Sequence, residues 1–446
     1  MRQSETPPAA GAPDGAGRRS LAGLPGARNT ALLAAGILVL AVNLRAAIAS
    51  LPPVFPDLSA ALHLSSASIS VLAAVPVLCF GVFSGLGAPL SRRFGEERVL
   101  LGALVLLAGG LLLRGVLPVV MLFPGTVLAG GAIALMNVLL PSLVKRRHPD
   151  RAGVLIGAYL LMLSAGAVVA SLIAVPVFKA AGGSERGAGW PVQLTLGLWA
   201  LPAAAAAVAW LPQFRYRTRP DRAGRAARVA VHRHVLAWQV AAFMGLQSMV
   251  YYGTLSWLPT LFQDRGVSAA AAGGLLALMN VGNAITAMLM PVLAQRARNQ
   301  RLLVTAMALA ASGGLVGVLL APTGTAAVWT LLLGLGQGAS LGLGIFFTMA
   351  RAPDPVTAAS LSGFAQSSGY LIAAAGPLAV GFLHAATGGW TVPILALLGV
   401  VVAMQWSGWL AGRARTLPPR GKPGEPGEPA PRPERIEGVG ESRELE

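Results

Sequence analysis

Charged residues are scarce in this chain, and cysteine is almost absent. Asp, Glu, Lys and Arg make up 11% of its 446 residues, against roughly 25% in a soluble globular domain. The single cysteine, Cys79, excludes an internal disulfide and a thiolate metal cluster. Because 55% of the residues are hydrophobic, the composition predicts an integral membrane protein that is solvated by lipid.

Acidic residues are missing from the middle of every long apolar segment, since all 17 occur in loops, at segment ends or in the terminal regions. The segments therefore hold no carboxylate pair, His–Glu cluster or nucleophile with its base. This argues against an intramembrane enzyme and predicts neither a metal site nor a cofactor. No group that titrates near neutral pH lies at a segment centre, so the sequence does not identify a coupling ion for transport.

Twelve apolar segments are long enough, at about 20 residues each, to cross a hydrocarbon core about 30 Å thick. We expect them to be helical, because lipid offers no partner to backbone polar groups and the alternation of a β-barrel strand is missing. They lie at residues 31–55, 66–90, 98–117, 119–141, 152–178, 190–212, 235–262, 268–294, 301–321, 325–350, 356–384 and 390–411.

Basic residues give the chain a net charge of +17 and are concentrated in alternate loops between the segments. This pattern predicts that both termini are cytoplasmic, and it explains the charge without a nucleic-acid partner. An alternative is a signal peptide with Arg18, Arg19 and Arg28 as its basic region and Ala47–Ala49 as its cleavage site. The charge of Arg45, just before that site, argues against the alternative.

Two sequence patterns of the first half recur in the second. Pro89–Arg93 recurs as Pro291–Arg296, and Gly189–Val192 recurs as Gly389–Val392. Such repeats indicate two parallel six-helix halves. The predicted parts are a disordered cytoplasmic tail at 1–28, an N-terminal half at 29–212, a basic cytoplasmic linker at 213–234, a C-terminal half at 235–412 and a second disordered cytoplasmic tail at 413–446.

Arg45 lies near the middle of the first apolar segment, which is otherwise free of charge. A guanidinium at that depth costs at least roughly 3 kcal/mol unless it faces a watery cavity or an anion. Since no acid of the chain lies at a segment centre, an unpaired cation beside a cavity predicts a carrier of small anions. The alternative is that Arg45 caps backbone carbonyls at a helix break before Pro52 and Pro53.

The loop Gly87–Gly95 resembles the major facilitator superfamily signature of Gly, an acid, two bases and Gly, with Ser91 where the acid is usual. Two parallel six-helix halves are also the layout of that superfamily. The resemblance implies an all-α integral membrane protein, with twelve transmembrane helices in two six-helix pseudo-repeats and a binding site near the bilayer midplane between them.

Five further motifs resemble the cyanate permease and 2-nitroimidazole transporter family of that superfamily: Asn43–Arg45, Pro141–Arg147, Gly157–Tyr159, Trp257–Pro259 and Leu361–Leu371. The likeness extends over residues 30–410. It implies a carrier of a small anionic or nitro-bearing solute, and it leaves import and export open because the family includes both.

Pairs of polar residues one helical turn apart occur near the centres of three segments: Gln247 with Tyr251, Asn280 with Asn283, and Gln366 with Tyr370. Each pair shares a helical face, and we expect that face to turn away from lipid. Interhelical hydrogen bonding is an alternative role, which stays open for the asparagines. The predicted substrate-binding residues are Arg45, Asn43, Gln247, Tyr251, Asn283, Gln366 and Tyr370, with Tyr159 and Asn280 as gate or pathway residues.

The function predicted from these features is secondary transport of such a solute by alternating access in the plasma membrane. We expect a monomer whose partners are the bilayer and a small molecule. A drug/proton antiporter that exports hydrophobic compounds is the alternative. A non-transporting sensor is a more remote one, because the region after Arg415 is rich in Pro, Gly and Glu and predicts disorder, where a sensor needs a signalling domain.

Overall fold

The computed structural model describes residues 27–116, 119–147, 151–183, 189–216, 218, 230–297, 299–413 and 415–418. Within these residues the chain forms sixteen α-helices joined by turns and short 3-10 segments, and it forms no strand. The all-α prediction is confirmed. Most of the two predicted tails and most of the linker 213–234 lie outside the described residues.

The sixteen helices are numbered in chain order. In the N-terminal half they are α1 (Ala27–Ala49), α2 (Phe55–Leu62), α3 (Ser66–Phe83), α4 (Gly87–Phe94), α5 (Glu96–Val116), α6 (Leu122–Arg147), α7 (Ala152–Ala180), α8 (Gly189–Gly197) and α9 (Ala200–Trp210). In the C-terminal half they are α10 (Val235–Asp264), α11 (Ala269–Arg296), α12 (Gln300–Leu320), α13 (Ala326–Ala350), α14 (Pro355–Ala373), α15 (Ala375–Thr387) and α16 (Thr391–Ala411).

Eleven helical segments of the described residues are long and apolar enough to cross a membrane. The twelfth predicted span is α10, which is 30 residues long and mostly buried among the other helices. It is less apolar than the rest because it carries Gln247, Ser248, Tyr251 and Tyr252. Its polar side chains thus lie inside the protein, where lipid does not penalise them.

The first span is broken at Pro52 and Pro53. Proline has no backbone N–H, so α1 ends at Ala49 and the chain passes through a 3-10 turn before α2. The break leaves carbonyl groups at the end of α1 without helical donors. Arg114 of α5 supplies one donor, since its Nη1 atom lies 3.3 Å from the carbonyl oxygen of Ala47.

The two halves repeat the same helix contacts. In the N-terminal half α5 packs against α6 and α9, and in the C-terminal half α12 packs against α13 and α16. Likewise α1 packs against α7, and α10 packs against α14. These matching contacts are what the sequence repeat predicts, and they make α1 and α10 equivalent helices at the centre of the molecule.

The halves meet along two seams, where α7 packs on α11 and α3 packs on α14 and α15. We call the end that holds Arg92, Arg147, Arg296 and Arg351 the basic end, and the other the opposite end. At the opposite end the seams are tight: Gln263 donates a hydrogen bond to the carbonyl oxygen of Pro53 at 3.2 Å.

Glycines mark the difference between the two ends. At the opposite end, a Cβ atom on Gly273 of α11 would lie 2.6 Å from the carbonyl oxygen of Ser171 on α7. At the basic end, no heavy atom of the described residues lies within 4 Å of a Cβ built on Gly157 of α7 or Gly363 of α14. The seam between α7 and α11 is therefore closely packed at the opposite end, whereas Gly157 and Gly363 have no such close neighbour at the basic end.

Closure of the opposite end should depend on the small size of Gly273. Gly273→Ala would push α11 away from α7, and overpacking of this kind costs about 1–3 kcal/mol. With a cysteine at Gln263 in a Cys79→Ser background, we expect maleimide to label Gly273→Ala about fivefold faster than the parent protein, or more. Gly274→Ala is the matched control, because no described atom lies within 4 Å of its Cβ. Equal labelling of both variants would show that this contact does not seal the seam.

Candidate functional site

A small cavity of about 50 Å³ lies between the two halves, beside Arg45 of α1. Because one water needs about 10–15 Å³ of such space, the cavity holds a few waters or a small ion. Its polar lining includes Tyr251 of α10 and Asn280 and Asn283 of α11. The apolar lining comes from α7, α11 and α13: Leu160, Leu163, Ala167, Ala284, Ala287, Met288, Leu341 and Ile345.

A chain of hydrogen bonds connects Arg45 to the C-terminal half. Its Nη1 atom donates to the hydroxyl oxygen of Tyr251. That hydroxyl donates to Oδ1 of Asn280 at 2.8 Å, and the Asn280 amide nitrogen donates to the carbonyl oxygen of Leu276 at 2.9 Å. The orientation of Tyr251 is thus fixed from α11, and its oxygen is held against the guanidinium.

Aromatic rings surround the guanidinium. Its Cζ atom lies 5.0 Å from the ring centroid of Tyr251 and 5.9 Å from that of Tyr252, which is within cation–π range. Tyr159 and Tyr370 are also within electrostatic range of Arg45, so four of the five tyrosines in the chain lie near this cation.

No carboxylate of the described residues pairs with Arg45. The ion pairs of these residues lie elsewhere, at Glu96, Glu97 and Asp264. Hydroxyl groups and ring faces stabilise the cation only in part, because they carry partial charges. A small anion in the cavity would meet a fixed positive charge that the described part of the protein does not neutralise.

Asn283 differs from its neighbour Asn280. It lines the cavity and is 7% exposed, and its side chain makes no hydrogen bond with any described residue. Its amide group opens onto the cavity. Asn283 is therefore available to bind a polar group that enters the cavity.

The other predicted site residues lie outside the cavity lining. The Asn43 amide donates to the carbonyl oxygen of Val39 at 2.9 Å, on its own helix. Gln247 donates to the hydroxyl of Ser248 at 2.6 Å. Gln366 is exposed and donates to Ser362 at 2.9 Å. None of these three side chains forms a hydrogen bond with Arg45 within the described residues.

The two remaining predicted tyrosines are held by aromatic and amide contacts. The ring of Tyr370 packs edge-on against Phe80 of α3, with centroids 5.4 Å apart. The hydroxyl of Tyr159 donates to Oδ1 of Asn137 on α6 at 3.1 Å. Tyr370 thus bridges the halves, whereas Tyr159 connects two helices within the N-terminal half.

Known proteins similar to the chain are transporters. A family model of the Major Facilitator Superfamily matches residues 37–377. The chain belongs to this superfamily. In Bacillus subtilis (strain 168) the uncharacterized transporter YycB is 38% identical over 384 residues, which cover 86% of this chain and 94% of the relative. The family resemblance seen in the sequence is thereby confirmed, and the chain is a multi-pass membrane transporter rather than an enzyme.

Two relatives from Escherichia coli (strain K12) have named solutes. The 2-nitroimidazole transporter is 38% identical over 392 residues, covering 87% of this chain and 98% of the relative. The cyanate transport protein CynX is 28% identical over 377 residues, which cover 82% of this chain and 94% of the relative. Among solved structures, a bacterial homolog of the human lysosomal transporter Spinster has a TM-score of 0.73 at 15% identity, covering 87% and 97%. That likeness supports the major facilitator fold alone.

Two residues near Arg45 and Tyr159 were not predicted from the sequence. Tyr252 follows Tyr251 directly, so it points about 100° away around α10 and shares no face with Gln247. It packs against Phe80 with centroids 6.2 Å apart. Asn137 of α6 has no polar residue one helical turn away, so the pattern that identified the other pairs does not identify it. Only the packing of α6 on α7 identifies it as the acceptor for Tyr159.

The hydroxyl of Tyr251 should contribute to stability. Tyr251→Phe removes the oxygen that Arg45 contacts, and a hydrogen bond to a charged group contributes about 1.5–3 kcal/mol. We expect a lower thermal unfolding midpoint for the detergent-purified variant. Tyr252→Phe is the control, because the Tyr252 hydroxyl makes no hydrogen bond within the described residues, and its midpoint should stay near that of the parent. The two variants behaving alike would contradict the hydrogen-bond chain.

Proposed function

We propose that the chain carries a small anionic or nitro-bearing solute across the plasma membrane by alternating access. The observation that carries this proposal is Arg45, a cation beside a cavity between the halves that no described carboxylate neutralises. The relatives that carry 2-nitroimidazole and cyanate support the same solute class.

Solute binding would exchange one partner of Arg45 for another. An anion that enters the cavity forms a charge-assisted hydrogen bond to the guanidinium and displaces the weaker Tyr251 hydroxyl. The Asn283 amide then supplies a second hydrogen bond. The ring of Tyr251, which lines the cavity, offers a flat surface to a planar solute, which suits a nitro group or a heteroaromatic ring.

The site joins the two halves, which is what alternating access requires. Arg45 belongs to the N-terminal half, whereas Tyr251, Asn280 and Asn283 belong to the C-terminal half. A solute bound between them favours the arrangement in which the halves are close. We propose that the basic end is cytoplasmic and that the protein acts as a monomer without nucleic acid.

Cyanate and 2-nitroimidazole, two candidate solutes of this class, differ in size. The cavity of about 50 Å³ suits an ion of a few atoms such as cyanate. A nitroimidazole ring needs more space, so Met288 and Ile345, both partly exposed lining residues, would have to move before it fits.

The test is transport by the purified protein in liposomes, with cyanate, nitrate, small carboxylates, 2-nitroimidazole and a cationic dye. Arg45→Gln should abolish transport of every anion, because it removes the fixed charge. Arg45→Lys should retain part of it, since an ammonium keeps the charge but lacks the planar fork that holds two oxygens. Neutral 2-nitroimidazole should be affected less.

Arg296→Gln is the control for that experiment, because Arg296 is exposed at the basic end and far from the cavity lining. It should transport like the parent protein. If Arg45→Gln carries anions normally, or if the cationic dye alone is transported, the anion proposal is wrong and the drug/proton antiporter replaces it.

Asn283 should contribute to affinity without contributing to stability. Asn283→Ala removes no hydrogen bond present in the described structure, so the unfolding midpoint should not fall. The KM for an anion should rise about tenfold, as the loss of one hydrogen bond of about 1.4 kcal/mol predicts. Asn43→Ala is the comparison, since the Asn43 amide contacts its own helix. A larger effect on KM from Asn43→Ala would move the binding site away from the cavity.

A further inference from the structure

A groove lies on the outer surface of the N-terminal half at the basic end. Its volume is about 410 Å³, and α4, α5 and α6 form most of its walls. Apolar residues dominate its lining, among them Leu90, Phe94, Leu106 and Phe214, with Arg98 as the charged group. The groove is separate from the cavity beside Arg45, so the solute proposal does not explain it.

The groove faces lipid, and its length along α5 is close to the thickness of one leaflet. Phe94, Leu106 and Phe214 are each more than 40% exposed on a protein whose helices cross a membrane. From Arg98 to Leu106 the helix α5 rises about 12 Å, at about 1.5 Å per residue. Half of a hydrocarbon core is about 15 Å. One acyl chain that starts at the basic end therefore matches the groove in length.

Arg98 is positioned at the rim of the groove with free hydrogen-bonding capacity. Its Nε atom donates to the carbonyl oxygen of Phe214 at 3.4 Å, and its Cζ atom lies 4.8 Å from the ring centroid of that residue. Its two terminal nitrogens make no hydrogen bond within the described part of the chain. Arg93 adds a second positive charge nearby, stacked on the ring of Phe94.

The neighbouring acids do not cancel this charge. Glu96 and Glu97 are buried and point away from the groove lining. Glu96 lies 3.5 Å from Arg146, and Glu97 lies 2.8 Å from Arg147. With both carboxylates paired elsewhere, the described residues leave the rim of the groove positive.

We propose that this groove binds one anionic phospholipid from the leaflet at the basic end. The lipid phosphate accepts hydrogen bonds from the terminal nitrogens of Arg98, whose planar fork suits phosphate oxygens. One acyl chain lies along α5 over Gly102, where no heavy atom of the described residues comes within 4 Å of a built Cβ. The positive charge of Arg98 and the length of the groove, which is close to the thickness of one leaflet, together favour an anionic phospholipid as the ligand.

Native mass spectrometry of the full chain tests the proposal, with phosphatidylglycerol and phosphatidylcholine of identical acyl chains. The parent protein should bind one phosphatidylglycerol more tightly than phosphatidylcholine. Arg98→Gln should weaken phosphatidylglycerol binding about fivefold, the effect of one basic residue near the membrane surface. It should weaken phosphatidylcholine binding less, because the choline cation already offsets the attraction of that phosphate to Arg98. Gly102→Leu should weaken binding of both lipids, because its side chain fills the groove.

Matched controls are Gly109→Leu, on the same helix and also without a described atom within 4 Å of its Cβ, and Arg296→Gln, an exposed charge of the other half. Both should bind lipid like the parent protein. Equal phosphatidylglycerol binding by the parent and Arg98→Gln, undiminished binding by Gly102→Leu, or a dimer of the chain that excludes lipid from the groove would each overturn the proposal.

Discussion

The structure depends on keeping one guanidinium inside a membrane without a described carboxylate beside it. Lipid cannot solvate Arg45, and the cavity beside it has a volume of only about 50 Å³. The charge is held instead by the hydroxyl of Tyr251 and by the faces of two tyrosine rings. Because these groups belong to the other half of the protein, stabilising Arg45 also holds the two halves together.

The same constraint shapes the helices that carry the site. Asn280 fixes the orientation of Tyr251, which makes α10 and α11 a single support for the cation. This support requires polar residues in α10, and these residues make α10 the least apolar of the twelve spans. At the opposite end, Gly273 brings α11 into close contact with α7, on the same seam that borders the cavity.

Much of the fold could be predicted from the sequence. In a lipid bilayer, the length of the apolar segments, their hydropathy and the internal repeats each favour a single structural interpretation. The number of spans, their helical form and the parallel halves were predicted in this way. A break before Pro52 and Pro53 entered only as part of the alternative in which Arg45 caps the carbonyl groups there, whereas the predicted span 31–55 was continuous. In the structure Arg114 makes that contact. Hydropathy cannot identify which of two arginines reaches a given carbonyl, since that depends on where the tertiary packing places each side chain.

The candidate site could be predicted in part. Arg45, Tyr251, Asn280 and Asn283 meet at one cavity, as their central positions in the spans suggested. Gln366 is exposed although it lies one turn from Tyr370, because a shared helical face does not specify which neighbouring helix that face meets. The most direct test is a structure of the protein with selenocyanate, located by anomalous scattering. We predict that the anion lies within hydrogen-bond distance of the Arg45 guanidinium, with the Tyr251 hydroxyl displaced. An anion bound elsewhere, with Tyr251 still against Arg45, would contradict the account.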